Sequence, residues 1–296
     1  MTFTIAAMPA YNEANTIGEV IHGCQKYVDK VVVVDDGSVD DTIKIAESLG
    51  AYVVRHPQNE GYGASLRDCF KTALKLDADM MVIIDSDGQH DPDEITHVLE
   101  PLDRGINVAI GSRFINGNGD DVPAYRKVGM KVLDVATNFV GGINVSDTQC
   151  GFRAYDKEAI KNIDIKGDDM SAGSEILLEV GNNKLSYEEV EVHCRYDIDD
   201  TSTQNPVRHG TMALVQILKD MEFRRPLYYF TAPGLLMGLV GVFLGLSFLQ
   251  DFYHGDSLSF GPTLLMILLT LVGTFMAFTG IILHAMSKLI RETKRL

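Results

Sequence analysis

Between Pro226 and Gln250 the chain carries no Asp, Glu, Lys or Arg, and between Ser257 and Ser287 it again carries none. No other feature constrains its folding as much. A helix needs about 20 apolar residues to cross a hydrocarbon core of about 30 Å, and both runs are long enough. A buried hairpin in a soluble core would be shorter and more often broken by polar residues, so the runs read as membrane spans at 226–250 and 261–287. Arg224 and Arg225 precede the first span, while Lys288, Arg291, Lys294 and Arg295 follow the second. The linking DFYHGD has no Lys or Arg. The positive-inside bias therefore puts both termini in the cytoplasm of a membrane-bound protein, with loop 251–260 outside and a basic tail at 288–296. Tyr228, Tyr229, Phe252 and Tyr253 suit interfacial anchors, and the chain opens directly on a strand-like TFTIAAM rather than on a secretory signal pattern.

Charge separates the rest of the chain from this hairpin. Of 26 basic and 41 acidic side chains, the last 71 residues hold four and three, which leaves 22 against 38, a net −16, on residues 1–225. So acidic a domain is unsuited to nucleic acid. Cys24, Cys69, Cys150 and Cys194 form no CxxC pair and read as reduced, structural thiols.

Within residues 1–205 short apolar runs alternate with helical patterns. Thr2–Met8, Val31–Val34, Met80–Ile84 and Val108–Ile110 read as strands. Thr16–Tyr27, Asp41–Leu49, Ala64–Leu76 and Glu94–Leu102 read as helices, followed by a helix at Ser174–Asn182 and a strand at Tyr187–Val192. This alternation predicts an α/β fold with a mostly parallel sheet covered on both faces. Open sheets of this kind bind ligands beyond the carboxyl ends of their strands. Here those ends run into PAYNE (Pro9–Glu13), DDGSVDD (Asp35–Asp41), DSDGQH (Asp85–His90) and GSR (Gly111–Arg113). Asp85 and Asp87 pose the sharpest question. Carboxylates this close repel unless a cation, a proton or an arginine lies between them.

Taken in order, PAYNE, VVDDGSxDxT, the DxDxQ-type acidic motif and GSR resemble the inverting family 2 glycosyltransferases, over roughly residues 3–225. The downstream DTQCGFRAY (Asp147–Tyr155) and the hairpin are similar to the dolichyl-phosphate mannose synthase-like branch. DTSTQNPVRHG (Asp200–Gly210) resembles archaeal members that charge a dolichyl phosphate for protein N-glycosylation. The resemblance implies a GT-A, Rossmann-like catalytic domain at 1–205 with a C-terminal two-helix transmembrane hairpin. It also implies Mg2+ or Mn2+ as cofactor, and a nucleotide sugar and dolichyl or polyprenyl phosphate as substrates. A UDP-sugar, UDP-glucose or UDP-N-acetylglucosamine, is favoured over GDP-mannose, and homo-oligomerisation is left open.

A nucleotide-sugar diphosphate gathers negative charge as its glycosidic bond breaks, and a carboxylate-held divalent cation stabilises that leaving group. Asp85, Asp87 and Gln89 are the expected ligands, and the resemblance makes Asp87 and Gln89 the core pair. His90 reads as a structural turn residue. Pro9, Tyr11, Glu13, Asp36 and Asp85 are expected to line the nucleotide slot: Tyr11 against the base, Glu13 and Asp36 as acceptors for ribose or base donors. The alternative for Asp35 and Asp36 is capping of the next helix.

The acceptor decides the mechanism. An alcohol would need a general base, whereas a lipid monophosphate is already anionic near neutrality and needs cations to hold it. Arg113, Arg126, Arg153 and Arg208 are the candidates, since the planar guanidinium suits phosphate oxygens. Arg113 and Arg126 would act with Asp87 in catalysis, and Glu175 is a candidate base or sugar ligand. Cys150 and Met130 depart from the family pattern, so mannose transfer is not assumed. Met212, Val215, Leu218 and Met221 form an amphipathic stripe, predicting an interfacial helix at 206–225. Three rival readings fit the residues less well. A DxD-type phosphatase fits Gln89 and His90 poorly, and a processive polysaccharide synthase would need a QxxRW motif in a chain that has no Trp. A non-enzymatic membrane-anchored nucleotide-sugar-binding module would leave the polar strand ends unexplained.

Overall fold

Strand β1 (Thr4–Ala10) shows why the domain is layered: Ile5 and Ala7 join one buried cluster, Ala6 and Met8 another, and all four are fully buried. Alternate side chains of a strand point to opposite faces, so a strand buried on both faces must be an inner strand of a covered sheet. A fully buried Ile or Met contributes about 1.5–3 kcal/mol. The computed structural model describes residues 2–115, 124–168, 172–195, 226–255 and 260–293; within these, the side chains of residues 124–129, 132 and 287–293 are left aside. The chain divides into two units, 1–215 and 216–296.

In the first unit β1 is followed by α1 (Ile17–Cys24), β2 (Lys30–Asp35), α2 (Thr42–Ser48), β3 (Tyr52–Arg55), α3 (Tyr62–Lys75), β4 (Met80–Ile83), α4 (Ile95–Asp103) and β5 (Val108–Ser112). Then come α5 (Ala124–Gly141), β6 (Arg153–Asp156), α6 (Lys157–Asn162), α7 (Ala172–Asn183) and β7 (Tyr187–Glu191). The helices form where apolar residues recur at helical spacing. In α1 these are Ile17, Val20, Ile21 and Cys24, all buried. A side-chain cap opens α6, where Asp156 accepts from Ala159 N at 2.7 Å.

The sheet order is β3-β2-β1-β4-β6-β5-β7. Every pairing is parallel except those of β6, which runs antiparallel to both β4 and β5. The mostly parallel sheet expected from the sequence is thus present, with two strands the periodicity did not single out. β3 has only four residues, half-buried or exposed, and β6 is a four-residue strand whose antiparallel insertion has no local signature. This insertion matters for the site. Arg153, the first residue of β6, pairs with Ile83 near the end of β4 and with Ile110 of β5, so segment 147–153 arrives at the edge where the parallel strands finish.

In the second unit a π-helical turn, Leu227–Thr231, leads into α8 (Ala232–Tyr253), and α9 spans Phe260–Thr293. Two stretches of 27 residues, Leu227–Tyr253 and Phe260–Met286, are long and apolar enough to cross a membrane. At 1.5 Å per residue each reaches about 40 Å. The helices pack closely through small residues: a Cβ on Gly234 would fall 2.6 Å from Ala277 N. Large apolar side chains such as Leu239, Phe243 and Phe275 remain exposed. Helix α8 continues through Asp251–Tyr253, which the sequence assigns to the loop, and α9 through 288–293, which it assigns to a tail. The amphipathic stripe at 206–225 and Arg208 lie outside the described residues.

Candidate active site

The chain winds outward from β1 through β2 to β3, then returns to the other side of β1 with β4. A crevice forms beyond the strand ends at such a reversal. The ends of β2, β1 and β4, which carry Asp35–Asp36, Pro9–Glu13 and Asp85–Asp87, are therefore adjacent. Side-chain hydrogen bonds join them. Ser86 Oγ donates to Pro9 O at 2.8 Å, and Thr16 Oγ1 donates to Ser86 O at 2.8 Å and to Glu13 Oε2 at 3.2 Å. On the other side Asn12 N donates to Ser38 Oγ at 2.9 Å, and Glu13 N to Thr42 Oγ1 at 2.8 Å. Pro9 is buried, while Tyr11 is exposed at the mouth.

Asp85, Asp87 and Gln89 are half-buried, and Ser86 and His90 are buried. Asp85 Oδ1 accepts from Tyr62 Oη at 3.1 Å, and Asp87 Oδ1 from Gln89 N at 2.9 Å. A Cβ on Gly151 would lie 2.7 Å from Asp85 Oδ2, so the absence of a side chain there lets segment 147–153 pass over the carboxylate without displacing it. Burial, reinforced by the charge of Asp85, pushes the Asp87 carboxyl up to about 6. Burial also raises Glu13, with Asp85 and Asp40 adding to the effect against a hydrogen bond from Thr16. The crevice thus concentrates negative charge, the electrostatic condition a divalent cation relieves.

Among the described residues no group of three or more His, Cys, Asp or Glu side chains is arranged to hold a metal ion. The donor set here is two carboxylates, which suits a cation that completes its shell with diphosphate oxygens and water. Gln89 Oε1 lies 3.6 Å from Cys194 Sγ, which donates to it, so it would have to leave that contact to become a ligand. His90 is a structural residue: its Nδ1 donates to His193 O at 3.2 Å. The four cysteines are free, and burial pushes the Cys24 and Cys150 thiols up to about 12.

Asp35 and Asp36 divide their work. Asp35 Oδ2 accepts from Gly37 N and Ser38 N at 3.1 and 3.0 Å and so shapes the turn. Asp36 is engaged by His56 Nδ1 at 2.8 Å, Glu60 N at 2.8 Å and Gly61 N at 3.0 Å, rather than capping a helix. A carboxylate offers about four acceptor positions, so one remains.

The arginines sort by partner. Arg113, just after β5, is gripped by the fully buried Asp147 through Nε–Oδ2 at 2.6 Å and Nη2–Oδ1 at 2.8 Å. Arg126 is in α5, with its side chain outside the described residues. Arg153 corrects the sequence expectation. It is 2% exposed, and its guanidinium donates to Thr148 O at 2.8 Å and Gly173 O at 2.7 Å, which withdraws it from the acceptor-phosphate set. Glu175 is likewise a brace, accepting from Lys166 N at 3.1 Å and Gly167 N at 2.9 Å. Sequence reasoning missed Tyr62, His56 and Asp147 as partners of the site. Only Asp147 carried a signal, its place at the head of the DTQCGFRAY motif.

The layered domain is similar to a glucosyl-3-phosphoglycerate synthase from Mycobacterium tuberculosis solved with Mn2+ and UDP-glucose. The TM-score is 0.56 at 20% identity, covering 75% of this chain and 78% of that one, a likeness that shows a GT-A-like fold. Residues 6–164 match glycosyl transferase family 2. The chain belongs to that family and is a glycosyltransferase. It is 32% identical over 230 residues to the UDP-N-acetylglucosamine--dolichyl-phosphate N-acetylglucosaminyltransferase of Methanococcus voltae, covering 70% of this chain and 89% of the relative. It is also 32% identical over 177 residues to the polyprenol monophosphomannose synthase of Mycolicibacterium smegmatis, covering 56% and 66%.

Proposed function

We propose that the protein transfers one sugar, with inversion, from a nucleotide-diphosphate donor to dolichyl or another polyprenyl phosphate at the cytoplasmic membrane face, feeding protein N-glycosylation. The observation that carries the reading is the meeting of Asp36, Glu13, Asp85 and Asp87 in one crevice, with Arg113 at the end of β5 paired to Asp147 on the segment that β6 brings to the same sheet edge. Asp85 and Asp87 would hold a Mg2+ or Mn2+ ion, with Gln89 joining them on leaving Cys194. When bound, such an ion neutralises the diphosphate and makes it a better leaving group. Tyr11, Glu13 and Asp36 would seat the nucleoside, and Arg113 and Arg126 would hold the acceptor phosphate.

Glu175 supports a phosphate acceptor rather than an alcohol. The carboxylate that the sequence offered as a base is occupied by two backbone N–H groups. A phosphate oxygen is already a nucleophile and needs orientation by cations, not deprotonation. The Methanococcus voltae relative, covered over most of its length, favours a UDP-sugar as donor. The two apolar helices would keep the enzyme where its acceptor lies.

The test supplies radiolabelled UDP-glucose, UDP-N-acetylglucosamine and GDP-mannose separately, each with Mn2+ and dolichyl phosphate, and measures label in the lipid extract. Transfer from a UDP-sugar supports the reading. Transfer from GDP-mannose alone would make the protein a mannose synthase, and no lipid-linked product with any donor would overturn the acceptor.

A further inference from the structure

We propose that His56 is a positioning residue for the nucleotide: clamped between Asp36 and Asp68, its imidazolium fixes the Asp36 carboxylate and so sets how tightly the nucleoside is held. The inference rests on the reading of Asp36 as a nucleotide contact.

His56 follows directly on β3, and its N–H donates to Asp35 O at 2.9 Å, extending the pairing of β2 and β3. The residue is 5% exposed. Its Nδ1 lies 2.8 Å from Asp36 Oδ1 and its Nε2 lies 3.3 Å from Asp68 Oδ2. An ionised carboxylate only accepts, so both ring nitrogens must donate, and that requires the charged ring. A neutral ring would point a lone pair at one of the two acids. Three acids face it: Asp36 from the end of β2, Glu60 from the loop after β3, and Asp68 from α3, itself paired with Lys71 Nζ at 2.8 Å. Burial pulls the imidazole pKa down, but the hydrogen bonds of Asp36 and Asp68, with the charges of Asp36 and Glu60, outweigh it and leave it raised.

The clamp reaches beyond Asp36. The same carboxylate holds Glu60 N and Gly61 N, and the next residue, Tyr62, donates to Asp85. The turn at Gly37 (φ 75°) lies so close to loop 58–59 that a Cβ there would meet Gln58 C at 2.6 Å. His56 is thus placed where the nucleoside side of the crevice and the acidic side share one support.

The experiment titrates UDP and GDP, each with Mn2+, into the full-length protein in detergent, calorimetrically, from neutral to alkaline pH. Wild-type affinity for the preferred nucleotide should be full while the imidazole is charged and fall as pH rises through its raised pKa. His56→Gln, which cannot donate from both ends, should bind about tenfold or more weakly at neutral pH, with that alkaline fall abolished. Asp68→Asn keeps Asp36 and the ring but removes one source of the raised pKa, so its affinity should fall at lower pH than wild type. If His56→Gln fails to fold, the displacement of the Asp68→Asn profile decides; a profile superimposable on wild type overturns the proposal. Wild-type binding by His56→Gln alongside weakened binding by Asp36→Asn overturns the role of His56 while sparing that of Asp36. Unchanged binding by Asp36→Asn overturns the underlying nucleotide reading itself.

Discussion

Arg113 and Asp147, 34 positions apart, meet in a two-point ion pair, Nε–Oδ2 at 2.6 Å and Nη2–Oδ1 at 2.8 Å, with the Asp147 carboxylate fully buried. The backbone N of Arg113 also donates to Asp147 Oδ2 at 3.2 Å. A planar guanidinium gripped along one edge is held in a fixed orientation, which is what a phosphate-binding cation needs. Removing one partner of a buried pair leaves the other charge uncompensated and costs about 3–5 kcal/mol. Asp147→Ala should therefore lower the unfolding free energy read from urea titration by that order, and raise the acceptor Michaelis constant more than that of the donor. A variant with unchanged stability would show that the pair carries no structural weight.

Asp87→Asn should abolish Mn2+-dependent nucleotide binding yet stabilise the metal-free protein near neutral pH. The sign follows from the raised carboxyl. Its value of about 6 exceeds the usual 3.8, so between these pH values the folded state binds more protons than the unfolded chain, and stability falls as pH rises through the window. An amide carries no such penalty. Thermal melts without metal at neutral pH, beside calorimetry with Mn2+ and UDP, read both effects, and a destabilised variant would contradict the assignment.

The same titration sets a pH limit on the donor. Metal-dependent nucleotide binding should weaken as pH drops through about 6, where Asp87 takes up its proton, and metal uptake near that pH should release a proton. Calorimetry in buffers of different ionisation enthalpy measures the release directly. Binding that stays level down to the ordinary carboxylate range would remove Asp87 from the metal site.

Gly151→Ala tests the packing over Asp85 by adding one methyl group. Its Cβ would fall 2.7 Å from Asp85 Oδ2, and 3.4 Å from both Asp85 Cγ and Tyr62 Oη. The carboxylate must turn away, so nucleotide affinity with Mn2+ should drop about tenfold or more, the worth of one charged contact, while the circular dichroism spectrum is kept. Wild-type affinity would show that the site tolerates a displaced Asp85.

Removing residues 226–296 should leave nucleotide binding intact, because every donor-side residue proposed lies before Arg225. Turnover of long-chain polyprenyl phosphate in liposomes should fall, and a short-chain, partly soluble acceptor should restore much of it, since anchoring acts through effective concentration. Equal loss with both acceptors would mean that the hairpin helps to build the active site.

The parts of this protein whose physics is local follow from its residues alone. Two uncharged runs of membrane-spanning length, apolar strands alternating with amphipathic helices, and acids placed where Ile84 gives way to Asp85 are all legible, because periodicity and hydropathy act over a few residues. Strand order was not, and everything that depends on it was decided by the tertiary structure. Antiparallel β6, slipped between β4 and β5, brings Asp147 to Arg113, lays Gly151 over Asp85 and buries Arg153 against the carbonyls of Thr148 and Gly173. Short β3 sets His56 between Asp36 and Asp68. A charged residue reads the same in sequence whether it faces solvent, a partner or a ligand. Which of these it meets depends on pairings dozens of residues apart, and only the folded sheet supplies them.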